Sequence, residues 1–517
     1  MTARLNRALL ESLRAERTGV VDIPPDSLLD LPERAVQFGT GALLRGFVDD
    51  FVHGANLRGA FNGRIVAIAS TGSARDRVLR DQDGLYTLVV EGIERGAPIR
   101  ECRIISSVSR AVSATNEWND VLELARQPLL EFIFSNTTEV GIVSDEDSGA
   151  EDAPPKSFPA KLTRFLFERA NTFEYSADRG VTVIPCELIE NNGARLKEIV
   201  VAIAKRWDLG TTFIEWLDSA VPFCNTLVDR IVPGAPRDGD VERLRTMLGY
   251  EDGLLTTCEP YRLFAIEGDE ALRGRLRWAT DRGIIVAADI APYRKRKVHL
   301  LNGAHTLMVP VALAMGFETV HDAMMQPSIG KFVHDVMHEE VAPYLDVDGA
   351  EEFADAVIDR FRNPHIRHAL IDITLQATMK MRVRVVPSIQ RYVERTGRIP
   401  QALAFGFAAF LNLLQGDLAA SRRARGLSVP ADDQAASLHA AWAACDDGAS
   451  VSLGELVDAA CRNRELWGAD LTEIHGFPDA VAYHLARMRE QNMASALEHL
   501  LAFVEPDVNG RRASVLR

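Results

Sequence analysis

Short runs of β-branched and aromatic residues alternate with stretches of helical periodicity through the first half of the chain. Strands are predicted at residues 34–38, 63–70, 131–136 and 180–185, with a last strand at 282–290. Helices are predicted between the first four, at residues 42–56, 117–126, 159–170 and 194–207. Strands that alternate with helices form a parallel sheet with helices on both faces, because each parallel connection crosses over the sheet. The pattern therefore predicts an α/β N-terminal domain.

The pattern changes after residue 290, where strand-like runs become scarce. Residues 297–314, 329–341, 350–362 and 401–414 carry apolar side chains at helical spacing. A chain of 517 residues is also longer than one compact core usually accommodates. We therefore predict two domains: an α/β domain over residues 1–285, and a mainly α-helical domain over residues 286–517 that carries substrate-binding and catalytic residues.

Charge and cysteine usage narrow the classes of partner and compartment. The formal net charge is −15, and an acidic surface repels the phosphates of nucleic acids, so no nucleic-acid partner is expected. The N-terminal residues lack the apolar stretch of a signal peptide, and no apolar run has the length of a membrane span. The 6 cysteines include no CxxC pair, as is typical of free thiols in a reducing compartment. We expect a cytoplasmic protein without a membrane segment, and the oligomeric state stays open.

A glycine-rich turn follows the first predicted strand directly. Gly39 permits a tight turn, Gly41 lets the backbone approach a pyrophosphate, and a helix from about residue 42 would point its N-terminal amides at that anion. The third glycine of the usual fingerprint is replaced by Leu44, and Arg45 is available to pair with phosphate. A purely structural turn is the alternative, because GxG alone is a weak signal. The candidate cofactor-binding residues are Gln37, Phe38, Gly39, Thr40, Gly41 and Arg45, together with Asn136 and Thr137, which end the third predicted strand.

The choice between NAD and NADP is left open by the residues after the second strand. An acidic residue there usually binds the adenosine ribose of NAD, but this chain has Thr71, Gly72 and Ser73 instead. Arg75 and Arg77 follow and are suited to a 2′-phosphate, although arginines in a loop are more often solvated. Residues alone therefore predict a dinucleotide without selecting one.

The stretch of residues 292–306 carries the strongest catalytic signal. It contains Lys297, Asn302 and His305, and a lysine can donate a proton to an alkoxide formed by ketone reduction. Three neighbouring cations, at positions 294–296, favour the neutral amine that takes the proton back. On a regular helix Lys297 and Asn302 differ by roughly 140° and Lys297 and His305 by roughly 80°. Convergence of the three therefore requires an irregular turn or a substrate that reaches between them; otherwise this is a basic helix start with one polar face.

Several other polar residues have both a structural and a functional interpretation. Asn192 lies beyond the fourth predicted strand, where ligands of open α/β sheets bind, but Asn-Gly is also an ordinary turn. His334 and His338 have HxxxH spacing, but the residue after the first histidine is Asp335 rather than glutamate, so we predict a surface pair. The same interpretation applies to His365 and His368. No metal site is predicted.

These motifs together resemble the long-chain polyol-specific (mannitol) dehydrogenase family. The resemblance rests on Lys297, Asn302 and His305, on the turn with Gly39, Gly41 and Arg45, and on the segment FCNTLVDRI at residues 223–231. It implies a Rossmann-type N-terminal domain, a mainly helical C-terminal domain, NAD as cofactor, and hydride transfer without a metal. Carried over residue by residue, it implies Lys297 as general acid/base, Asn302 and Asn192 as donors to the oxyanion, and His305 as a substrate ligand.

Within the family the match favours members that act on uronates. Mannitol-type members have an asparagine two residues after the cysteine of the CELI segment, where this chain has Leu188. The resemblance implies a small sugar-acid substrate and the reversible reduction of D-tagaturonate to D-altronate. We expect Lys380 and Arg384, four residues apart in a basic segment, to bind the substrate carboxylate; solvated surface charges are the alternative. Fructuronate or a mannitol-type polyol as substrate, and a non-catalytic dinucleotide sensor, are the competing hypotheses.

Overall fold

The computed structural model describes residues 3–16, 19–70, 75–137, 141–143, 148–236, 238–425, 427–446 and 452–504. The chain divides into two compact units. Unit 1 comprises Met1–Gly92 and Pro98–Ala291, and unit 2 comprises Ile93–Ala97 and Pro292–Arg517.

Unit 1 is built around a parallel sheet and contains the strands of the described residues, except for strand residues 93, 94 and 97, which belong to unit 2. The strands are β1 Glu33–Phe38, β2 Arg64–Ala69, β3 Tyr86–Glu94, β4 Ala97–Ile105, β5 Val108–Ser113, β6 Phe132–Ser135, β7 Thr182–Pro185, β8 Thr226–Asp229, β9 Thr256–Cys258, β10 Leu263–Glu267 and β11 Ile284–Ala287. Five of them form the main sheet in the order β5-β2-β1-β6-β7, and every neighbouring pair is parallel. The four predicted strands of the first half are therefore confirmed as β1, β2, β6 and β7.

Two smaller sheets account for the remaining strands. Their orders are β11-β10-β8 and β4-β3-β9. The strand predicted at residues 282–290 is thus present as β11, but it pairs with β10 rather than extending the main sheet. Strands β3–β5 and β8–β10 were not predicted. Strands β8–β10 have only three to five residues, and strand β4 is largely exposed, so neither gives a clear apolar pattern.

The helices of unit 1 cover both faces of the main sheet. They are α1 Arg7–Glu16, α2 Ala42–Gly46, α3 Val48–Leu57, α4 Arg75–Asp81, α5 Trp118–Ala125, α6 Phe158–Thr172, α7 Asn192–Arg206, α8 Thr211–Ala220, α9 Asp238–Leu248 and α10 Glu270–Arg275. Successive residues of a strand face opposite sides. Accordingly Val36 and Phe38 of β1 belong to one apolar core, and Ala35 belongs to the other.

Unit 2 is mainly helical, as predicted. Its helices are α11 Ala291–Arg296, α12 Gly303–Ala314, α13 Val320–Met324, α14 Pro327–His334, α15 Ala350–Phe361, α16 Leu370–Ile373, α17 Ala377–Lys380, α18 Val386–Thr396, α19 Gln401–Leu413, α20 Asp417–Ala424, α21 Ala436–Asp446, α22 Leu453–Arg462, α23 Arg464–Trp467, α24 Phe477–Glu490 and α25 Met493–Val504. The apolar helices α12 and α19 pack closely, because an added Cβ at Gly406 would lie 2.4 Å from Leu307. In the part of the chain that is described, no helix is both long and apolar enough to cross a membrane.

Three π-helical segments interrupt the α-helices of unit 2. They are Lys297–Asn302, Asp335–Val341 and Met381–Val385. Segments of this kind are rare and often occur at functional sites. The first and third contain residues predicted to act on the substrate.

Gly193 marks a close backbone approach in unit 1 and generates a stability prediction. A Cβ at this position would lie 2.3 Å from the carbonyl oxygen of Cys224, which cannot move away as a side chain would. We expect Gly193→Ala to lower the free energy of unfolding by about 1–3 kcal/mol or more, measured by urea denaturation. Gly274→Ala is the control, since a Cβ there meets nothing within 4 Å in helix α10. Equal stability of Gly193→Ala and the control would contradict the close approach.

Candidate functional site

The glycine turn follows β1 as predicted, and Gly39 is required by its backbone. Gly39 has φ +130, a region in which L side chains are strained. Its amide donates to the carbonyl of Ile68 at 2.9 Å, which ties the turn to β2. A Cβ at Gly39 would lie 3.1 Å from Leu44 and 3.2 Å from the carbonyl oxygen of Asn136. The first glycine therefore serves the protein's own packing.

At Gly41, neither the backbone conformation nor the packing of the protein requires a glycine. Its φ of −69 is open to any residue, and a Cβ there would meet nothing within 4 Å. Helix α2 begins at the next residue, and no side chain caps its N-terminus, so its first amides are available to an external acceptor. A helix is confirmed at this place, but it breaks at Phe47 before α3 continues. The open space at Gly41 fits a pyrophosphate that approaches the backbone.

Arg45 holds the turn from inside unit 1. Its guanidinium is buried and donates to the carbonyl of Thr40 at 2.5 Å and to the hydroxyl of Thr256 at 3.1 Å. Burial lowers the pKa of Arg45. The hydroxyl of Tyr86 donates to the Arg45 carbonyl at 2.8 Å. Arg45 thus fixes the backbone of the turn, and its pairing with phosphate stays a prediction.

The two residues before the turn differ in what they can offer a cofactor. The amide of Gln37 donates to the carbonyl of Gly39 at 3.3 Å and so supports the turn. Phe38 is fully buried, with its ring centroid 5.2 Å from that of Phe158. The carbonyl of Phe38 accepts from the amide of Asn136 at 3.3 Å, and a contact between Phe38 and the cofactor stays a prediction.

Asn136 and Thr137 lie at the carboxyl end of β6 beside a residue that the sequence analysis did not single out. Both the backbone amide and the hydroxyl of Thr137 donate to Glu187, at 2.9 and 3.1 Å. The side chain of Asn136 donates to the carbonyl of Cys186 at 2.9 Å. Glu187 is buried, and this burial raises its pKa, whereas the donated hydrogen bonds lower it. The CELI segment was the available signal for Glu187, which joins the ends of β6 and β7.

Asn192 is held in a hydrogen-bond network of its own unit. It is 0% exposed, and its side-chain nitrogen donates to the carbonyls of Pro185 and Glu187 and to the hydroxyl of Thr226. Its side-chain oxygen accepts from the amides of Gly193 and Thr226. The arrangement gives Asn192 a structural role, and an oxyanion contact would require this network to open.

Lys297 and Asn302 are the first and last residues of a π-helix. In a π-helix the hydrogen bonds run from residue i to i+5, so a residue five positions on returns to nearly the same face. The irregular turn that their convergence requires is therefore present. Both side chains are partly exposed, and His305 follows on α12 without a break in the helix.

His305 is buried against two aromatic rings and lies near several cationic side chains. It is 8% exposed, its ring stacks on Phe361 at a centroid distance of 3.9 Å, and His368 meets it edge-on at 5.1 Å. Burial, followed by the charges of His368, Arg360, Arg384 and Lys380, lowers the pKa of His305 well below its ordinary value. Its Nε2 atom is buried and has no hydrogen-bond partner among the described residues. A neutral imidazole with an unused nitrogen can bind a substrate hydroxyl.

His368 was predicted to belong to a surface pair with His365, and this prediction is wrong for His368. His365 is exposed, whereas His368 is partly buried against His305. The cause is tertiary: α15 brings Phe361 under His305, and the segment after it returns His368 to the same place.

Lys380 and Arg384 reach the surroundings of His305 from a second irregular helix. Lys380 ends α17 and Arg384 lies in the π-helix that follows. Arg384 donates to the hydroxyl of Thr306 at 3.2 Å, and burial lowers its pKa to about 10. Lys380 donates to the carbonyl of Ile373 at 2.9 Å, and burial and then Arg384 lower its pKa. The structure thus brings together His305, Lys380 and Arg384, whereas the glycine turn, Asn136, Thr137 and Asn192 belong to the other unit.

The remaining histidine motif forms ion-pair contacts with carboxylates. His334 and His338 stack at a centroid distance of 4.5 Å, and His338 lies 2.5 Å from Glu351 and 3.2 Å from Asp355. Among the residues that the structure describes, no group of three or more His, Cys, Asp or Glu side chains could hold a metal ion.

Known structures share this architecture. The ternary complex of Pseudomonas fluorescens mannitol 2-dehydrogenase with NAD and D-mannitol has a TM-score of 0.64 and 22% identity, covering 96% of this chain and 99% of that one. D-sorbitol dehydrogenase in its substrate-free form has a TM-score of 0.76 and 21% identity, covering 96% and 100%. At this identity the likeness supports the fold alone.

Sequence relatives are closer. Altronate oxidoreductase of Bacillus subtilis (strain 168) is 39% identical over 478 residues, which are 92% of this chain and 96% of the relative. Altronate oxidoreductase of Pectobacterium atrosepticum is 41% identical over 474 residues, 90% and 96%. Residues 33–280 match the mannitol dehydrogenase Rossmann domain, and residues 289–489 match the mannitol dehydrogenase C-terminal domain. These two matches cover most of the chain in the order in which its α/β and helical units occur, so the chain belongs to the mannitol dehydrogenase family of oxidoreductases.

Proposed function

We propose that the protein catalyses the reversible NAD-linked reduction of D-tagaturonate to D-altronate in the cytoplasm. The observation that carries this proposal is the cluster in unit 2, where the helix bearing Lys297, Asn302 and His305 lies beside the cations Lys380 and Arg384. The names of the relatives at about 40% identity support the choice of substrate. Fructuronate, or a polyol of the mannitol type, is the alternative substrate.

The proposed chemistry divides between the cofactor and three side chains. Bound reduced nicotinamide supplies a hydride to the ketone carbon. The amine of Lys297 donates a proton to the oxygen that becomes an alkoxide, and it takes the proton back in the oxidation direction. The amide of Asn302 donates a hydrogen bond to the same oxygen and stabilises its developing charge. His305 is neutral, because its pKa is lowered, and its unused Nε2 binds a hydroxyl of the substrate.

The substrate carboxylate is assigned to Lys380 and Arg384. A guanidinium can hold a carboxylate through two parallel hydrogen bonds, and an ammonium adds a point charge. Both groups are partly buried, so water screens their charges less than it screens surface ion pairs. A keto acid would bring a negative charge to the two cations and a neutral ketose would not, which favours a keto acid.

The cofactor proposal places the pyrophosphate at Gly41. NAD is the proposed dinucleotide, as the family resemblance implies. Arg75 keeps NADP as the alternative, because it is exposed on α4 and its charge is near enough to lower the pKa of Arg45. Residues 71–74, which follow β2, lie outside the described residues.

Gly41→Ala tests the pyrophosphate position separately from folding. The added methyl group meets no protein atom within 4 Å, so we expect an unchanged melting temperature. It would occupy the space of the pyrophosphate, so the Kd for NADH, from fluorescence titration, should rise about tenfold or more. An unchanged Kd would exclude close approach of the cofactor at this residue.

Lys297→Ala tests the general acid and, at the same time, the substrate. We expect NADH oxidation with D-tagaturonate to exceed that with D-fructuronate, D-fructose or NADPH, and kcat in the variant to fall about 10²–10⁴-fold. The Kd for NADH should stay unchanged. The control is Lys197→Ala, since that lysine forms an ion pair with Asp218 in unit 1, at 2.8 Å.

Each outcome of this assay selects one hypothesis. Turnover confined to D-fructuronate or D-fructose would move the substrate assignment elsewhere in the family. NADH binding without turnover of any of the three would favour the non-catalytic sensor. Full activity of Lys297→Ala would exclude the lysine as the acid.

Lys380→Met and Arg384→Met test the carboxylate site. We expect the KM for D-tagaturonate to rise about tenfold or more in each variant, because a charged hydrogen bond contributes about 1.5–3 kcal/mol. The KM for a neutral ketose should change much less. Arg382→Met is the matched control, because Arg382 lies in the same segment, is exposed, and donates to the carbonyl of Glu465 at 3.3 Å. Equal effects of all three variants would contradict a specific carboxylate site.

A further inference from the structure

The N-terminus of the helix that carries Lys380 is capped by a residue distant in sequence. Gln376 precedes α17 with a left-handed backbone, φ 52 and ψ 46, and its side chain does not cap the helix. Asp432 takes this role: its Oδ2 accepts from the amide and the hydroxyl of Thr378, both at 2.8 Å. The adjacent loop residue Ala431 accepts from the amide of Gln376 at 2.8 Å. Asp432 therefore fixes the start of α17, the short helix that ends with Lys380.

No cation in the described part of the chain forms an ion pair with Asp432. Its second oxygen, Oδ1, is buried and has no hydrogen-bond partner among the described residues. A carboxylate in this state acts on nearby cations through a medium less polar than water. Lys380 is one such cation. Burial and the charge of Arg384 lower the pKa of Lys380, and the charge of Asp432 raises it.

We propose that Asp432 is a positioning residue of the substrate site, which holds α17 in place and keeps Lys380 protonated for the carboxylate of the substrate. This inference rests on the proposed role of Lys380 in binding that carboxylate. Asp432 touches neither substrate nor cofactor; it acts through Thr378 and Lys380. Within the cluster, Asp432 is the carboxylate that acts on Lys380, whereas Asp372 acts on His368.

The pH dependence follows from the groups around Lys380. Arg384 on the same helix opposes protonation of the lysine, and Asp432 from the loop favours it. His305 and His368 also face Lys380, and their pKa values are lowered, so both are neutral in the alkaline range where a lysine titrates. Removing the charge of Asp432 therefore lowers the pKa of Lys380 further, and the amine loses its proton at a lower pH.

Asp432→Asn is the test, because it removes the charge and keeps an oxygen that can accept from Thr378. The full-length protein is labelled with acetic anhydride across a pH series, and the Lys380 peptide is quantified by mass spectrometry. We expect half-maximal labelling of Lys380 to move about half a pH unit or more to lower pH. The rise of the KM for D-tagaturonate at alkaline pH should move in the same direction, with the effect on KM rather than on kcat.

Two matched variants separate charge from structure. Asp433→Asn removes one charge from the next residue, which accepts from the side chain of Gln376 at 2.7 Å, and should leave the labelling curve of Lys380 in place. Thr378→Val removes the hydroxyl bond but keeps the charge, and should lower the melting temperature without moving the curve. An unmoved curve in Asp432→Asn, or an equal shift in Asp433→Asn or Thr378→Val, would overturn the inference.

Labelling needs no substrate, so its outcome is independent of the proposed reaction. A shifted Lys380 curve in a protein that turns over no keto acid would refute the proposed function and the carboxylate role with it. A shifted curve with an unshifted KM profile would also overturn the inference, because Lys380 would then titrate without affecting the substrate. If Asp432→Asn does not fold, Asp432→Glu and Thr378→Val are compared instead. Asp432→Glu keeps the charge and should leave the labelling curve of Lys380 in place. A shifted curve in Thr378→Val would contradict the role of charge.

Discussion

The hydrogen bond from Nδ1 of His299 to the carbonyl of Arg384, at 3.0 Å, joins the two irregular helices that carry the candidate site residues of unit 2. A carbonyl oxygen only accepts, so Nδ1 carries the proton, and the lowered pKa of His299, caused mainly by its burial, keeps the ring neutral. The hydroxyl of Ser388 lies 3.1 Å from the same nitrogen. The π-helix with Lys297 and Asn302 and the π-helix with Arg384 are thus fixed to each other through one buried side chain. The close approach at Gly303, where a Cβ would lie 3.4 Å from the Arg384 carbonyl, has the same consequence.

The sequence was sufficient for four of the five strands of the main sheet and for the helical character of unit 2, but not for the smaller sheets or for the irregular helical turns. The parallel strands and the helix after the glycine turn follow from periodicity, because burial on two faces selects apolar runs and burial on one face selects a helical stripe. The placement of Lys297 relative to Asn302 does not follow from periodicity, because one extra residue in a helical turn changes the face of every residue before it. No residue in KVHLLN marks that change, which is stabilised by tertiary contacts such as the one made by His299. Lys380 and Arg384 also lie on opposite sides of a helix junction, and for the same reason the sequence left open whether they form a carboxylate site or are solvated surface charges.

Residues that are paired in space but separated in sequence were the ones most often misjudged or missed. His368 was interpreted as a surface residue because its spacing from His365 is also that of two exposed residues on a helix. Only the fold brings it to His305. Glu187 received no weight, although three hydrogen bonds from Ser135 and Thr137 converge on it. Asn192 lies beyond β7, as predicted, and its side chain is hydrogen-bonded within its own unit; its contact with the oxyanion stays a prediction. A motif identifies which residue is present, and the hydrogen-bond partners decide whether its atoms are available to a ligand.

Selectivity for an anion in a protein with a net charge of −15 depends on where the positive charge lies. Exposed charges are screened over about 8 Å at physiological ionic strength, so the acidic surface has little influence on a ligand already inside unit 2. Arg384 and Lys380 are partly buried; burial lowers the pKa of both groups, and the charge of Arg384 lowers that of Lys380 further. A bound carboxylate opposes this lowering, whereas a neutral polyol leaves it in place. The carboxylate of Asp432 opposes part of this effect at Lys380, and an anionic ligand would oppose it further. The lowered pKa values of the two cations therefore support the proposed class of substrate, a sugar acid rather than a neutral polyol.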